Sequence, residues 1–188
     1  YYPGASQMAM KLIVDPDTDQ ILGAQVIGNE GVDKRIDVIA TAMAAGITAT
    51  GLMDLELSYA PQFASAKDPI NILGYVNENR ALGERSVQWH EVDDLVADGW
   101  RLIDVRTTGE HSRGAIPGSE LITLDELRDH VEDLAGQKII VTCRVGQRGH
   151  TAASILRQEG IEVANLDGGY LTWQMGTAAR TPTELVTT

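Results

Sequence analysis

The sequence predicts two domains, an α+β unit over residues 1–82 followed by an α/β unit with a mostly parallel sheet over residues 87–180. Three observations predict this. The length, 188 residues, suits two small domains as well as one ordinary one. The first part reads as a hairpin followed by helices. The second part alternates strand and helix signals, as a sheet with crossover helices requires.

In chain order, Met8-Ala9-Met10-Lys11-Leu12-Ile13-Val14 is a strand. Asp15-Pro16-Asp17-Thr18-Asp19 is a turn, because proline presets φ and aspartate bonds nearby backbone. Ile21 to Ile27 is the returning strand. Val32, Ile36, Ile39, Ala40 and Met43 recur at helical spacing, so a helix runs from Val32 to Ala45 and stops at Gly46. Its small residues favour close packing against a neighbour. A second helix starts at Pro69, which suits a first helical turn, and runs to Ala81. The expected arrangement is an antiparallel meander with helices on one side. Leu82 to Ser86 lacks periodicity and marks the boundary.

In the second part, Val92–Ala97 is helical and Trp100–Val105 is a strand. Leu124–Leu134 is expected as a helix, with Thr123 and Glu126 forming a capping box. Lys138–Thr142 is a short apolar strand of the kind buried on both faces. A helix begins just beyond Arg148, with its main body at Thr151–Glu159, and stops at Gly160. Glu162–Leu166 is the last strand. The tail from Thr181 is expected to be mobile.

Composition narrows the function. With 43% hydrophobic and 22% charged residues, disorder is not expected. The net charge of −12 divides as −5 over residues 1–85 and −7 over residues 86–188. Both parts are acidic, so neither nucleic acid nor an anionic membrane is an expected partner. No apolar run is long enough to span a bilayer. No signal peptide is visible, and the composition suits the cytoplasm. The start at Tyr1-Tyr2-Pro3-Gly4, inside a structured-looking stretch, is expected of a piece of a longer protein. A single cysteine allows no internal disulfide and no zinc site of its own, so no metal is expected.

That cysteine, Cys143, directly follows a buried strand, and a helix follows in turn. Between them lies Cys143-Arg144-Val145-Gly146-Gln147-Arg148. A loop curling into a helix start points several backbone N–H groups at one spot and forms an anion nest. Gly146 lets the backbone turn without a Cβ clash. The thiolate is the reactive form of cysteine, and such surroundings favour an anionic sulfur. Residues 86–188 have nine basic residues; four, Arg106, Arg113, Arg144 and Arg148, lie in this loop or after the Asp104 strand. His111 and His150 have no pattern behind them and are expected at the surface. Trp89, Trp100 and Trp173 are expected as core or capping aromatics.

The loop resembles the rhodanese-family active loop, Cys-x-x-Gly-x-Arg. Leu102-Ile103-Asp104-Val105-Arg106, with Glu110 and Gly114-Ala115-Ile116-Pro117-Gly118, resembles that family's first signature. Leu166-Asp167-Gly168-Gly169-Tyr170-Leu171-Thr172-Trp173 resembles its closing segment. Any one of these would be weak; three in order are specific. The resemblance implies that Cys143 accepts a sulfane sulfur and passes it to a thiol or other nucleophile, with Arg148 sharing the catalytic position. It places Arg144, Val145, Gly146, Gln147 and Arg106 around the substrate and Asp104 as loop support, with Asp104 and Arg106 bracing the loop more than taking part in chemistry. The related cell-cycle phosphatases have one more residue between Cys and Arg, which makes room for phosphate. The shorter loop here argues against a phosphatase or arsenate reductase.

The first part has no cysteine and no Gly-rich phosphate loop. It resembles the C-terminal dimerisation domain of FAD-dependent pyridine nucleotide–disulfide oxidoreductases. The carrying residues are Tyr1-Tyr2-Pro3-Gly4-Ala5, Leu22 to Gly28, the helix from Asp33, and Leu57 to Pro69. The resemblance implies an α+β dimerisation domain followed by an α/β rhodanese-like domain. Together they look like the C-terminal part of the coenzyme A–disulfide reductase or NADH-dependent persulfide reductase group, some of whose relatives are labelled NADH oxidases. FAD, NAD(P)H and coenzyme A are then implied for a longer protein and no cofactor for this stretch, which should not reduce a disulfide by itself. A homodimer is implied, with a sulfane sulfur or thiol compound as substrate. Tyr59 and Tyr1 (or Tyr2) match tyrosines that reach the partner's active site in that family. The alternative is a non-catalytic module that binds persulfide or coenzyme A and dimerises.

Overall fold

The computed structural model describes residues 3–180. The chain divides into two compact units between Gly83 and Glu84.

The first unit opens with strands β1 (Met8–Val14) and β2 (Ile21–Gly28), paired antiparallel. Asp15 makes the turn: its Oδ1 accepts from the amides of Asp17 and Thr18, at 2.9 and 3.1 Å. Asp19 takes the left-handed conformation that closes it. The sheet has two strands, and among the described residues no third joins it; the expected meander is a hairpin.

Helices α1 (Val32–Ala44) and α2 (Pro69–Ala81) cover the hairpin through Ile39, Ala42 and Ile70, and a 3-10 turn at Thr50–Asp54 buries Leu52 between them. Ala40 and Met43, expected on the apolar face of α1, are exposed; Arg35 is buried in their stead. The cause is a buried ion pair. Arg35 Nη2 lies 2.7 Å from Asp68 Oδ2, and its Nε donates to Asp68 Oδ1. Asp68 also caps α2 in a capping box with Asn71. The residues facing Asp68 therefore include a cation, and the buried stripe turns to follow it.

The second unit holds five parallel strands in the order β3 (Arg85–Val87), β7 (Glu162–Leu166), β6 (Lys138–Thr142), β4 (Arg101–Asp104), β5 (Glu120–Leu121). Side chains alternate across the sheet. Leu102, Ile140 and Ala164 face a layer with Val92 and Trp100, from the region of α3 (Val92–Ala97). Ile103, Ile139, Val141 and Val163 face Ala152, Ala153 and Leu156 of α6 (Gln147–Gln158). Apolar layers on both faces explain why β6 is a continuous apolar run.

Several elements differ from expectation. The helix expected over Leu124–Leu134 is a turn, a 3-10 segment at Leu127–His130 and one short turn α5 (Val131–Leu134). Thr123 Oγ1 donates to Glu126 Oε2 at 2.6 Å, but no capping box forms there. A capping box forms instead at Thr107 and Glu110, heading α4 (Thr108–His111). Helix α6 starts at Gln147, so Arg148 lies within its first turn. Helix α7 (Gly169–Arg180) follows β7.

Candidate active site

Strand β6 ends at Thr142, and Cys143 stands at its carboxyl end, where parallel sheets place their sites. Val105 N donates to Thr142 O, which keeps β4 and β6 paired up to the loop. The chain then turns through Gly146, whose φ of +96° is open to glycine at little cost, and enters α6.

The turn aims a donor at the sulfur. Gly146 N–H donates to Cys143 Sγ at 3.2 Å. The first-turn amides of α6 also lack intrahelical partners, as in any helix, and lie on the positive end of its dipole. Cys143 is only 1% exposed and packs with the core layer of Ile103, Val105 and Val141. Its sulfur is therefore on the floor of the loop. The side chains of Arg144, Val145 and Gln147 are exposed, so what these residues present inward is backbone.

Arg148 closes the ring. Its Nη1 and Nη2 bind Glu110 Oε2 and Oε1 at 2.8 and 2.7 Å, a bidentate pair. Glu110 chiefly, with the Cys143 sulfur adding to it, holds the guanidinium protonated beyond the ordinary arginine range. Conversely, the Arg148 hydrogen bonds hold Glu110 down at about 2, against its ordinary 4.5. Glu110 also accepts from Thr107 N–H in the α4 capping box.

Arg106, expected beside the substrate and as a brace of the loop, is bound to its neighbours on two sides. It is 4% exposed; Nε donates to both Asp104 oxygens, and Nη2 to Asp104 Oδ2 and to Gly114 O at 2.6 and 2.8 Å. Its guanidinium lies 4.3 Å over the Tyr170 ring, at the start of α7. From there α7 grips the loop: Tyr170 N–H donates to Cys143 O at 2.8 Å and Leu171 N–H to Arg144 O at 3.1 Å. The Gly168-Gly169 pair permits that grip. At Gly169, φ is +61°, and a Cβ would stand 2.5 Å from Cys143 O and 2.8 Å from Val145 N.

The structure thus gathers Cys143, Arg144 to Arg148, Asp104 and Arg106 into one neighbourhood. Arg113 is exposed; the His150 side chain is 40% exposed, and His111 is half-buried with its Nε2 inside. Trp100 is buried in the core, with Trp89 and Trp173 packed against the same layer. Tyr59 belongs to the first unit and is 56% exposed; Tyr1 and Tyr2 lie outside the described residues. Among the described residues, no group of His, Cys, Asp and Glu is placed to hold a metal, and no helix is long and apolar enough to cross a membrane. Sequence reasoning missed the Glu110 pairing, the Tyr170 stack, and Asn165 on β7. An asparagine in the apolar run Val163-Ala164-Asn165-Leu166 was the available signal for the last.

Comparison with known proteins gives two family matches. Residues 88–175 match the rhodanese-like domain, and residues 1–69 match the pyridine nucleotide-disulphide oxidoreductase dimerisation domain. A coenzyme A disulfide reductase of Staphylococcus aureus is 45% identical over 75 residues, which is 40% of this chain and 17% of the relative. The reduced CoADR-RHD of Bacillus anthracis is similar over 96% of the chain, at 48% identity and a TM-score of 0.92. A NAD-dependent persulfide reductase from A. fulgidus is similar over 92%, at 33% identity and a TM-score of 0.81. The chain spans 33% and 32% of the length of those two structures.

Proposed function

From a chain that joins a pyridine nucleotide-disulphide oxidoreductase dimerisation domain to a rhodanese-like domain, we propose persulfide transfer at Cys143, in the C-terminal module of a longer coenzyme A-disulfide or persulfide reductase. One observation carries the reading. A backbone N–H is aimed at the lone cysteine sulfur inside a loop closed by a helix start and a fixed arginine. That arrangement suits an anionic sulfur and the anionic persulfide made from it.

The chemistry balances without a cofactor. The Cys143 thiolate attacks the outer, sulfane sulfur of a persulfide R–S–SH. A new S–S bond forms to Cys143, the donor's own S–S bond breaks, and the leaving thiolate RS⁻ takes up the proton of the transferred sulfur as RSH. Cys143 is left as an anionic persulfide, whose outer sulfur sits about 2 Å further from the floor. An acceptor thiolate then attacks that outer sulfur and Cys143 leaves as thiolate. The sulfur changes carriers and no net electrons are gained or lost. Arg148, held by Glu110, faces the developing charge; the amides of Arg144 to Arg148 cradle it. Asp104 and Arg106 hold the loop in shape. The burial of Cys143 limits the reacting group to something as slim as a terminal sulfur.

Among the described residues, no βα turn carries the Gly-x-Gly-x-x-Gly pattern of a dinucleotide site: β4 is followed by Val105-Arg106-Thr107, and β7 by Asp167-Gly168-Gly169-Tyr170. FAD, NAD(P)H and coenzyme A are assigned to the longer protein on the strength of its dimerisation-domain family, and no step here runs through them. In that protein we assign Tyr59, with Tyr1, to the partner's site in a homodimer. The deep burial of Cys143 favours a second reading, a module that holds a persulfide without fast turnover.

Kinetics separate the readings. Glutathione persulfide and a second thiol are mixed with the wild-type chain and with Cys143→Ser. Sulfur transfer faster than the uncatalysed exchange, abolished in the variant, supports catalysis. One loaded sulfur per chain without turnover supports the holding module. Hydrolysis of an aryl phosphate would contradict both.

A further inference from the structure

Behind the loop lies a polar cluster that the transfer steps above do not use. Asn165, on the apolar strand β7, is 8% exposed. Its Nδ2 donates to Gly146 O at 3.1 Å and to Glu84 Oε1 at 3.4 Å. Because both neighbours of that nitrogen are acceptors, the amide orientation is fixed. Glu84 Oε2 in turn lies 2.5 Å from His150 Nδ1, on the second turn of α6. Asn165 Oδ1 is buried without a hydrogen-bond partner and faces Gly149. A Cβ at Gly149 would run into that oxygen, so the helix has a glycine where Asn165 approaches.

A buried amide with an unsatisfied oxygen is costly in an apolar strand. The shorter of the two bonds its nitrogen makes falls on a consequential atom. Gly146 O already accepts from His150 N–H at 2.8 Å, the first bond of the helix. Asn165 adds a second donor from another element. The two together fix the carbonyl along the helix and across it. Gly146 N–H is tied to that carbonyl only through one φ and one ψ, and it is this N–H that reaches Cys143 Sγ.

We infer that Asn165, held by Glu84 and His150, is a positioning residue that aims the Gly146 N–H at the reactive sulfur. The inference deepens the sulfur-transfer reading and rests on it for its purpose. Asn165 touches no reacting atom; it acts through the Gly146 peptide.

The test is an amide spectrum of the whole 188-residue chain together with the rate of sulfur uptake from glutathione persulfide. Relative to the wild type, the Gly146 amide proton should move when Cys143→Ala removes the sulfur. In Asn165→Ala, that proton should already sit near the Cys143→Ala position although the sulfur is present. Uptake should slow about tenfold, the scale of a small misplacement at a reacting centre. Core amides such as Ile103 and Leu156 should stay in place. Gly149→Ala is the second variant: it favours the helix, leaves Asn165 present but displaced, and should give the same pair of changes. Glu162→Gln, at the far end of β7, is the control and should change neither. A folded Asn165→Ala chain with an unmoved Gly146 amide and wild-type uptake would overturn the positioning role alone. No uptake by the wild type would overturn the sulfur-transfer reading, and with it the purpose of the cluster.

Discussion

Glu110 sets the behaviour of Arg148, and the pair gives the residue scale its first prediction. Folded, Glu110 stays ionised down to about pH 2; unfolded, it titrates at its ordinary 4.5. Its contribution to stability is therefore full above pH 4.5 and is lost as pH falls toward 2. Glu110→Gln should cost about 1 kcal/mol at pH 7, since both side chains are partly exposed. The gap between wild-type and variant urea midpoints should narrow between pH 4.5 and 2. Gly169→Ala should be harsher, about 2 kcal/mol or more, because it combines a left-handed backbone with a Cβ against the loop. It should also slow sulfur uptake, read by mass. Cys143, Gly146 and Arg148 were legible because they share one short stretch with a fixed spacing. The pairing of Glu110 with Arg148, 38 residues away, was not. Neither was the Asn165 bond to Gly146, since single-sequence patterns carry no information about which distant polar groups meet.

At the scale of elements, strongly periodic segments were readable. The hairpin, α2, β6 and β7 fall where alternation or turn chemistry places them. Short elements were not. Strands β3 and β5 have three and two residues, too few for a period to appear. The Leu124–Leu134 stretch has a helical pattern, yet it breaks into 3-10 and α turns; Leu127 and Leu134 both enter the core across that break. In α1 the apolar pattern pointed to Ala40 and Met43, and the Arg35–Asp68 pair rotated the buried face away from them. Asp68→Ala should be the sharpest test of that account. It removes the α2 cap and leaves Arg35 buried without its partner, at a cost of about 3–5 kcal/mol. The loss should appear as an early transition of the first unit in thermal unfolding, with the second unit's transition unchanged.

At the scale of the molecule, the two units divide the work proposed for them. The first has a family match to a dimerisation domain and exposes Tyr59 and Phe63. The chain should therefore sediment at twice its monomer mass; a single-chain mass at all concentrations would count against the homodimer. The second unit has the buried sulfur and the Gly146 N–H aimed at it. The two-domain plan was legible because each unit has its own periodicity. The lone cysteine at a strand's end made the site legible, whereas the depth of its burial depends on how α6 and α7 close over it. Persulfide loading of Cys143 is read by the intact mass of the chain after exposure to polysulfide or glutathione persulfide, beside Cys143→Ser. The wild-type chain should gain one sulfur atom, removed by cyanide and absent from the variant. An unchanged mass in a wild-type chain whose Cys143 still accepts an alkylating reagent would contradict that loading.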